Sequence, residues 1–179
     1  MKLTSPAFSS GETIPTIYTQ FGDNISPPLE WFDIPDRAGS LALIVEDPDA
    51  PNGVYTHWLI YNIPTSMKGL DSEVPPGSHY GTQILQGKNE QDLLGYLGPK
   101  PPDRQHRYIF DLYALDGALP LEEGATKEEL LQAMHGHIID QAKLTGLYSP
   151  NDVNEGGAVE DAYDLSARQD IMQPEAKRP

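Results

Sequence analysis

Two proline-studded segments, each running into a histidine, constrain this chain more than any other feature. The first is Asp47-Pro48-Asp49-Ala50-Pro51, followed by His57-Trp58. The second is Gly98-Pro99-Lys100-Pro101-Pro102, followed by His106-Arg107-Tyr108. Proline fixes φ and removes a backbone donor, so loops of this kind are preset rather than flexible. Each loop leads into a strand-like run. If the two loops meet at one end of a sheet, they enclose a small preorganised polar pocket, and function is expected there.

The rest of the chain reads as short strands punctuated by turns, consistent with 17 prolines and 16 glycines in 179 residues. Residues 40–45 include the apolar run Leu41-Ala42-Leu43-Ile44-Val45, a strand buried on both faces. Residues 57–63 and 107–115 read as two more strands, and 16–19 is β-prone. Thr126-Lys127-Glu128-Glu129 has capping-box spacing. Leu130, Met134, Ile138 and Ala142 then recur every four residues, predicting a helix that stops at Gly146. From Ser149 the composition shifts to an acidic extension. Residues 149–157 read as a linker, and 158–172 as a weak helix or disordered chain. The expected architecture is mainly β, a sandwich with one or two helices in a domain over 1–148, followed by the extension 149–179.

A formal net charge of −15 repels phosphate backbones and argues against nucleic acid as a partner. No apolar run approaches the length of a membrane span, so an integral membrane protein is not expected. The first residues lack the apolar run of a signal peptide, and a cytoplasmic location is expected if Met1 is the natural start. The absence of cysteine excludes disulfides, Cys-ligated zinc and thiol catalysis. There is no phosphate-binding glycine loop, GxGxxG or nucleophile elbow, so no cofactor and no catalytic residue is assigned.

The pocket chemistry follows from strand periodicity. With a period of two, His106, Tyr108 and Phe110 share one face, while Arg107, Ile109 and Asp111 point the other way. His57, His106 and Tyr108 can then supply donors to an anion. Asp47 would repel a phosphate at short range, so it must orient a histidine from behind or meet a cationic part of the ligand. An ethanolamine phosphate offers both an anion and a cation. Each feature also has a plainer reading. Asp in Asp-Pro-Asp makes turn hydrogen bonds, and a strand-initial histidine is often structural. Asp47, Asp49, His57 and His106 could serve as mixed metal ligands, but their spacing matches no metal motif. His135 and His137, two apart on a predicted helix, face nearly opposite sides and read as core and surface positions.

Both segments closely resemble the phosphatidylethanolamine-binding protein family, which includes Raf kinase inhibitor protein and the plant flowering-time regulators. Further matches are Ile14-Pro15 with Tyr18-Thr19, the run from Asn24 to Trp31, Leu112-Tyr113-Ala114-Leu115-Asp116, Gly136-His137-Ile138 and Leu144-Thr145-Gly146-Leu147-Tyr148. They resemble the bacterial and archaeal, Raf-kinase-inhibitor-like branch, over about 2–148. The resemblance implies a sandwich of a large and a small sheet, with a pocket at one end for phosphate-like anions and phosphorylated headgroups. Carried over by motif, that pocket is Asp47, Pro51, His57, Pro101, His106 and Tyr108. The resemblance also implies a cis peptide, for which Ala50–Pro51 is the candidate, and a homodimer. The implied function is non-enzymatic binding or regulation. The alternatives are inhibition of a protein kinase or protease by direct contact, and a His/Asp-dependent hydrolase. Lys100 stands where many bacterial relatives carry a small residue; its side chain either adds a cation to the pocket rim or points to solvent, and solvent is the expectation. A C-terminal helix near the pocket, as in eukaryotic members, is the role 158–172 would have.

Overall fold

A computed structural model describes residues 1–77, 79–80 and 83–152. The linker from 153 onward and the expected helix at 158–172 lie outside the described residues. Among the described residues, nine strands form two antiparallel sheets. The small sheet has the order β1-β2-β5, from β1 (Lys2–Thr4), β2 (Leu29–Phe32) and β5 (Gly69–Leu70). The large sheet has the order β6-β7-β4-β3-β8-β9. Its strands are β3 (Ser40–Asp47), β4 (Tyr55–Ile63), β6 (His79–Tyr80), β7 (Ile84–Gln86), β8 (His106–Leu115) and β9 (Ile138–Tyr148).

The apolar run 41–45 occupies β3, in the middle of the large sheet with β4 and β8 on either side, which is why it is hydrophobic on both faces. One face packs on the small sheet through Leu41, Leu43, Val45, Trp58, Ile60, Phe110 and Trp31. The other face carries Ala42, Ile44, Leu59 and Tyr61 against helix α1 (Lys127–Met134), through Leu130 and Met134. The capping box is present: Thr126 Oγ1 accepts from the Glu129 N–H, and Glu129 Oε2 accepts from the Thr126 N–H at 2.8 Å.

Four sequence expectations are corrected. The helix ends at Met134, and residues 138–148 are a strand paired along its length with β8. Gly136, at φ 81°, turns the chain out of the helix. Ala142, Leu144 and Tyr148 are buried on one face of β9, because a spacing of four is also even and keeps one side of a strand. His135 and His137 both fall outside the helix and are exposed. Residues Thr16–Tyr18 form a 3-10 turn rather than a strand. The Ala50–Pro51 peptide is trans.

Candidate functional site

The antiparallel pairing of β3 with β4 places Asp47 opposite Tyr55, so the first proline loop is the link between neighbouring strands. The loop is held in shape by Asp47 itself, whose Oδ1 accepts from the Asp49 N–H at 2.8 Å. Asp49 then ties the loop to β8. Its carboxylate accepts from Arg107 Nε and Nη2, both at 2.8 Å, and from the Arg107 N–H at 3.0 Å. These hydrogen bonds, chiefly the side-chain bond, hold the Asp49 carboxyl well below the usual carboxylate range.

The second loop is docked on the segment around the 3-10 turn. Asn24 Oδ1 accepts from the Gly98 N–H at 2.7 Å, Gln20 Nε2 donates to the Gly98 carbonyl at 2.7 Å, and the Gln20 N–H donates to the Pro99 carbonyl. Glycine is required at 98 because a Cβ would lie 2.5 Å from the Tyr18 carbonyl oxygen and 2.8 Å from Asn24 Oδ1. The two loops therefore meet, and between them lies a cavity of about 370 Å³.

Asp47, Pro51, His57, His106 and Tyr108 all line this cavity. Pro101 does not. It is buried, and Pro102 takes the lining position. Lys100 is exposed and also lines the cavity, which is the rim position open to it. Arg107 points away into its pair with Asp49, as strand alternation requires.

The two histidines are in different chemical states. His57 Nδ1 lies 2.6 Å from the Leu97 carbonyl, which can only accept, so Nδ1 carries the proton and Nε2 the lone pair. Burial, which outweighs the Leu97 bond and the attraction of Asp47 and Glu90, lowers the pKa of His57 and keeps it neutral. Its ring sits between Tyr55 and Tyr108, with centroids 5.0 and 5.2 Å away. His106 donates from both nitrogens, Nδ1 to Asp47 Oδ2 at 2.7 Å and Nε2 to Asp103 Oδ1 at 2.9 Å. Burial opposes its charge, yet the bonds to Asp47 and Asp103 prevail and raise its pKa. Burial, and then the charge of Asp47, pushes the Tyr108 hydroxyl far up, so it remains a donor. Asp47 thus combines the turn bond with the orienting role, one oxygen held by the Asp49 N–H and the other on His106.

Gln20, Tyr55, Glu90 and Gln91 also line the cavity. None carries a local sequence signal. Gln20 arrives by docking of a distant segment. Glu90 is fixed against β4, where its Oε2 accepts from the Thr56 N–H at 3.2 Å. Among the described residues, no group of three or more His, Cys, Asp and Glu is arranged to hold a metal ion.

A two-sheet β-sandwich with a His/Asp/Tyr cavity between two proline loops defines the class of protein. Residues 4–149 match the model of the phosphatidylethanolamine-binding protein family, and the chain belongs to that family. A UPF0098 protein of Methanothermobacter thermautotrophicus is 52% identical over 148 residues, covering 83% of this chain and 98% of the relative. One from Chlamydia muridarum is 50% identical over 155 residues, with the same coverage. The crystal structure of a PEBP homolog from Chlamydia trachomatis is 47% identical, with a TM-score of 0.75, and is matched over 82% of this chain and 95% of that one. Escherichia coli YbcL, described as a new member of the mammalian PEBP family, is 28% identical with a TM-score of 0.75, over 82% of this chain and 96% of that one. No helix among the described residues is long and apolar enough to cross a membrane.

Proposed function

We propose that this is a non-enzymatic binding protein whose cavity takes phosphate or a phosphorylated headgroup of the phosphoethanolamine kind. The carrying observation is the convergence of Lys100, His57, His106 and Tyr108 on one cavity between two rigid loops. Lys100 supplies a point charge and Tyr108 a neutral donor. His57 presents an acceptor while neutral, so a phosphate is bound either with its own P–O–H donating to Nε2 or with a proton taken up by the ring. The amine of phosphoethanolamine fits Glu90 on the rim, since both Asp47 oxygens are already engaged. Membership of the family supports binding or regulation as the role. Among the described lining residues, no serine or threonine stands beside the histidines to serve as a hydroxyl nucleophile for hydrolysis.

Calorimetric titration with inorganic phosphate and phosphoethanolamine at about pH 6, where histidine charging is accessible, tests the reading. Saturable heat that is lost in His57→Ala, with the fold intact by circular dichroism, supports it. An absence of heat with both ligands overturns it.

A further inference from the structure

We infer that Asp103 is an internal competitor for the anion site, a carboxylate that occupies the His106 Nε2 donor until a ligand displaces it. The inference rests on the anion-binding reading above and concerns how that site discriminates among ligands.

His106 is fully buried and has two N–H donors, and both are already spent on carboxylates. Nδ1 belongs to Asp47, whose side chain is only 6% exposed and is locked by the turn bond to Asp49. Nε2 belongs to Asp103, whose side chain is 50% exposed. As built, His106 has no donor left for a ligand oxygen, so one partner must leave before it can bind an anion directly. The two partners differ in what holds them. Withdrawing Asp47 would strand a buried carboxylate and break the first loop, which is costly. Withdrawing Asp103 returns an already half-hydrated carboxylate to water.

Asp103 also has somewhere to go. Its Oδ2 lies 3.3 Å from Arg104 Nη1 on the exposed side of the loop, so the carboxylate keeps a cation when it leaves His106. Asp103 follows Pro102, a lining residue, but is not itself among the residues lining the cavity. Its Oδ1 uses the Nε2 donor that an anion bound directly to His106 would need. A carboxylate there imitates one face of a phosphate. It satisfies His106 when the cavity is empty and sets a threshold that weak monoanions do not cross. A phosphate has more oxygens and can engage Lys100 and Tyr108 in the same step, so it compensates for the lost pair.

The test uses Asp103→Asn and Asp103→Ala in the full chain, with inorganic phosphate, phosphoethanolamine and acetate as probes at about pH 6, where Asp47 still favours the charged ring. Asparagine keeps a neutral acceptor for Nε2, and alanine keeps none. The expected order of phosphate affinity is Asp103→Ala above Asp103→Asn above wild type, with a gain of about three- to tenfold for alanine, the scale of an exposed charge pair plus relieved repulsion. Acetate is expected to gain measurable binding only in the variants. The His106 ring nitrogens, followed by 15N NMR, should report a new partner at Nε2 on phosphate addition while Nδ1 is unchanged. Equal or weaker phosphate binding in both variants, with thermal unfolding near wild type, overturns the competitor role and leaves the anion reading standing, with Asp103 a buttress. Absence of binding in wild type and in both variants overturns both. If alanine perturbs the fold, the asparagine comparison alone decides, because it conserves shape and removes only the charge.

Discussion

His57 illustrates how one backbone carbonyl sets the chemistry of a side chain. The Leu97 oxygen fixes the proton on Nδ1, and burial lowers the affinity of the ring for a second proton. An anion placed against Nε2 reverses that balance, because a nearby negative charge favours imidazolium. The pKa of His57 is therefore lowered in the free protein and would rise in the proposed phosphate complex. Between those two values binding takes up protons, so phosphate affinity should strengthen as pH falls and weaken as it rises. Titrations in buffers of different ionisation enthalpy should show net proton uptake, and His57→Ala should abolish it. The same substitution should weaken phosphate binding about ten- to hundredfold, the range for a hydrogen bond to a charged group. Pairing of His106 with Asp47 was foreseeable, because a carboxylate facing an anion has to find another partner. Its pairing with Asp103 was not, although the two residues are only three apart. A loop has no fixed periodicity from which to infer that they touch.

At the scale of elements, the strands that carry the site were legible because each is marked twice, by an apolar or alternating run and by a proline loop at its end. β9 is not separable from a helix by spacing, because Leu130, Met134, Ile138 and Ala142 satisfy helical spacing and strand alternation alike. What decides between them is long-range, the ladder with β8 from His106–Tyr148 to Leu115–Ile138. The outer edge of β9 is also occupied. Ile14 N–H donates to the Leu147 carbonyl at 2.8 Å and Gly11 N–H to the Thr145 carbonyl at 2.7 Å, so the N-terminal segment covers an otherwise open strand. This close approach explains Gly146, where a Cβ would fall on the fully buried Ile14 side chain and 3.0 Å from the Phe8 ring. Gly146→Ala should destabilise the fold by about 1–3 kcal/mol, the cost of overpacking, as read from urea unfolding. At the other end of the chain order, Thr126→Ala removes one half of the capping box. It should cost ~1 kcal/mol by the same measurement, with phosphate affinity unchanged because α1 packs on the sheet face away from the small sheet.

For the whole molecule, two ion-pair clamps close the loops over the end of the large sheet. One is Asp47–His106–Asp103, and the other is Asp49–Arg107. They have opposite pH limits. The pKa of Asp49 is depressed in the folded protein, so its contribution is present above its unfolded value near 3.8 and is lost as pH falls through the folded value. The pKa of His106 is raised, so its contribution is complete below its unfolded value near 6.5 and is lost as pH rises through the folded value. Both clamps are fully engaged only in the mildly acidic window between those unfolded values. The net charge of −15 adds self-repulsion that changes with pH, but it acts almost equally on wild type and a single variant. The difference between the two therefore isolates the clamp. The stability gap between wild type and His106→Gln, measured by urea unfolding across a pH series, should be wide at about pH 5.5 and should shrink as pH rises through the raised folded value, where the imidazole of the wild type loses its charge. Asp49→Asn should behave in the opposite sense, with a gap that persists at about pH 9 and closes only in strong acid. A His106→Gln gap of constant size would mean that the ring contributes by packing alone. In that case the first loop would rest on Asp49 and Arg107, and only the Asp49→Asn gap would respond to pH.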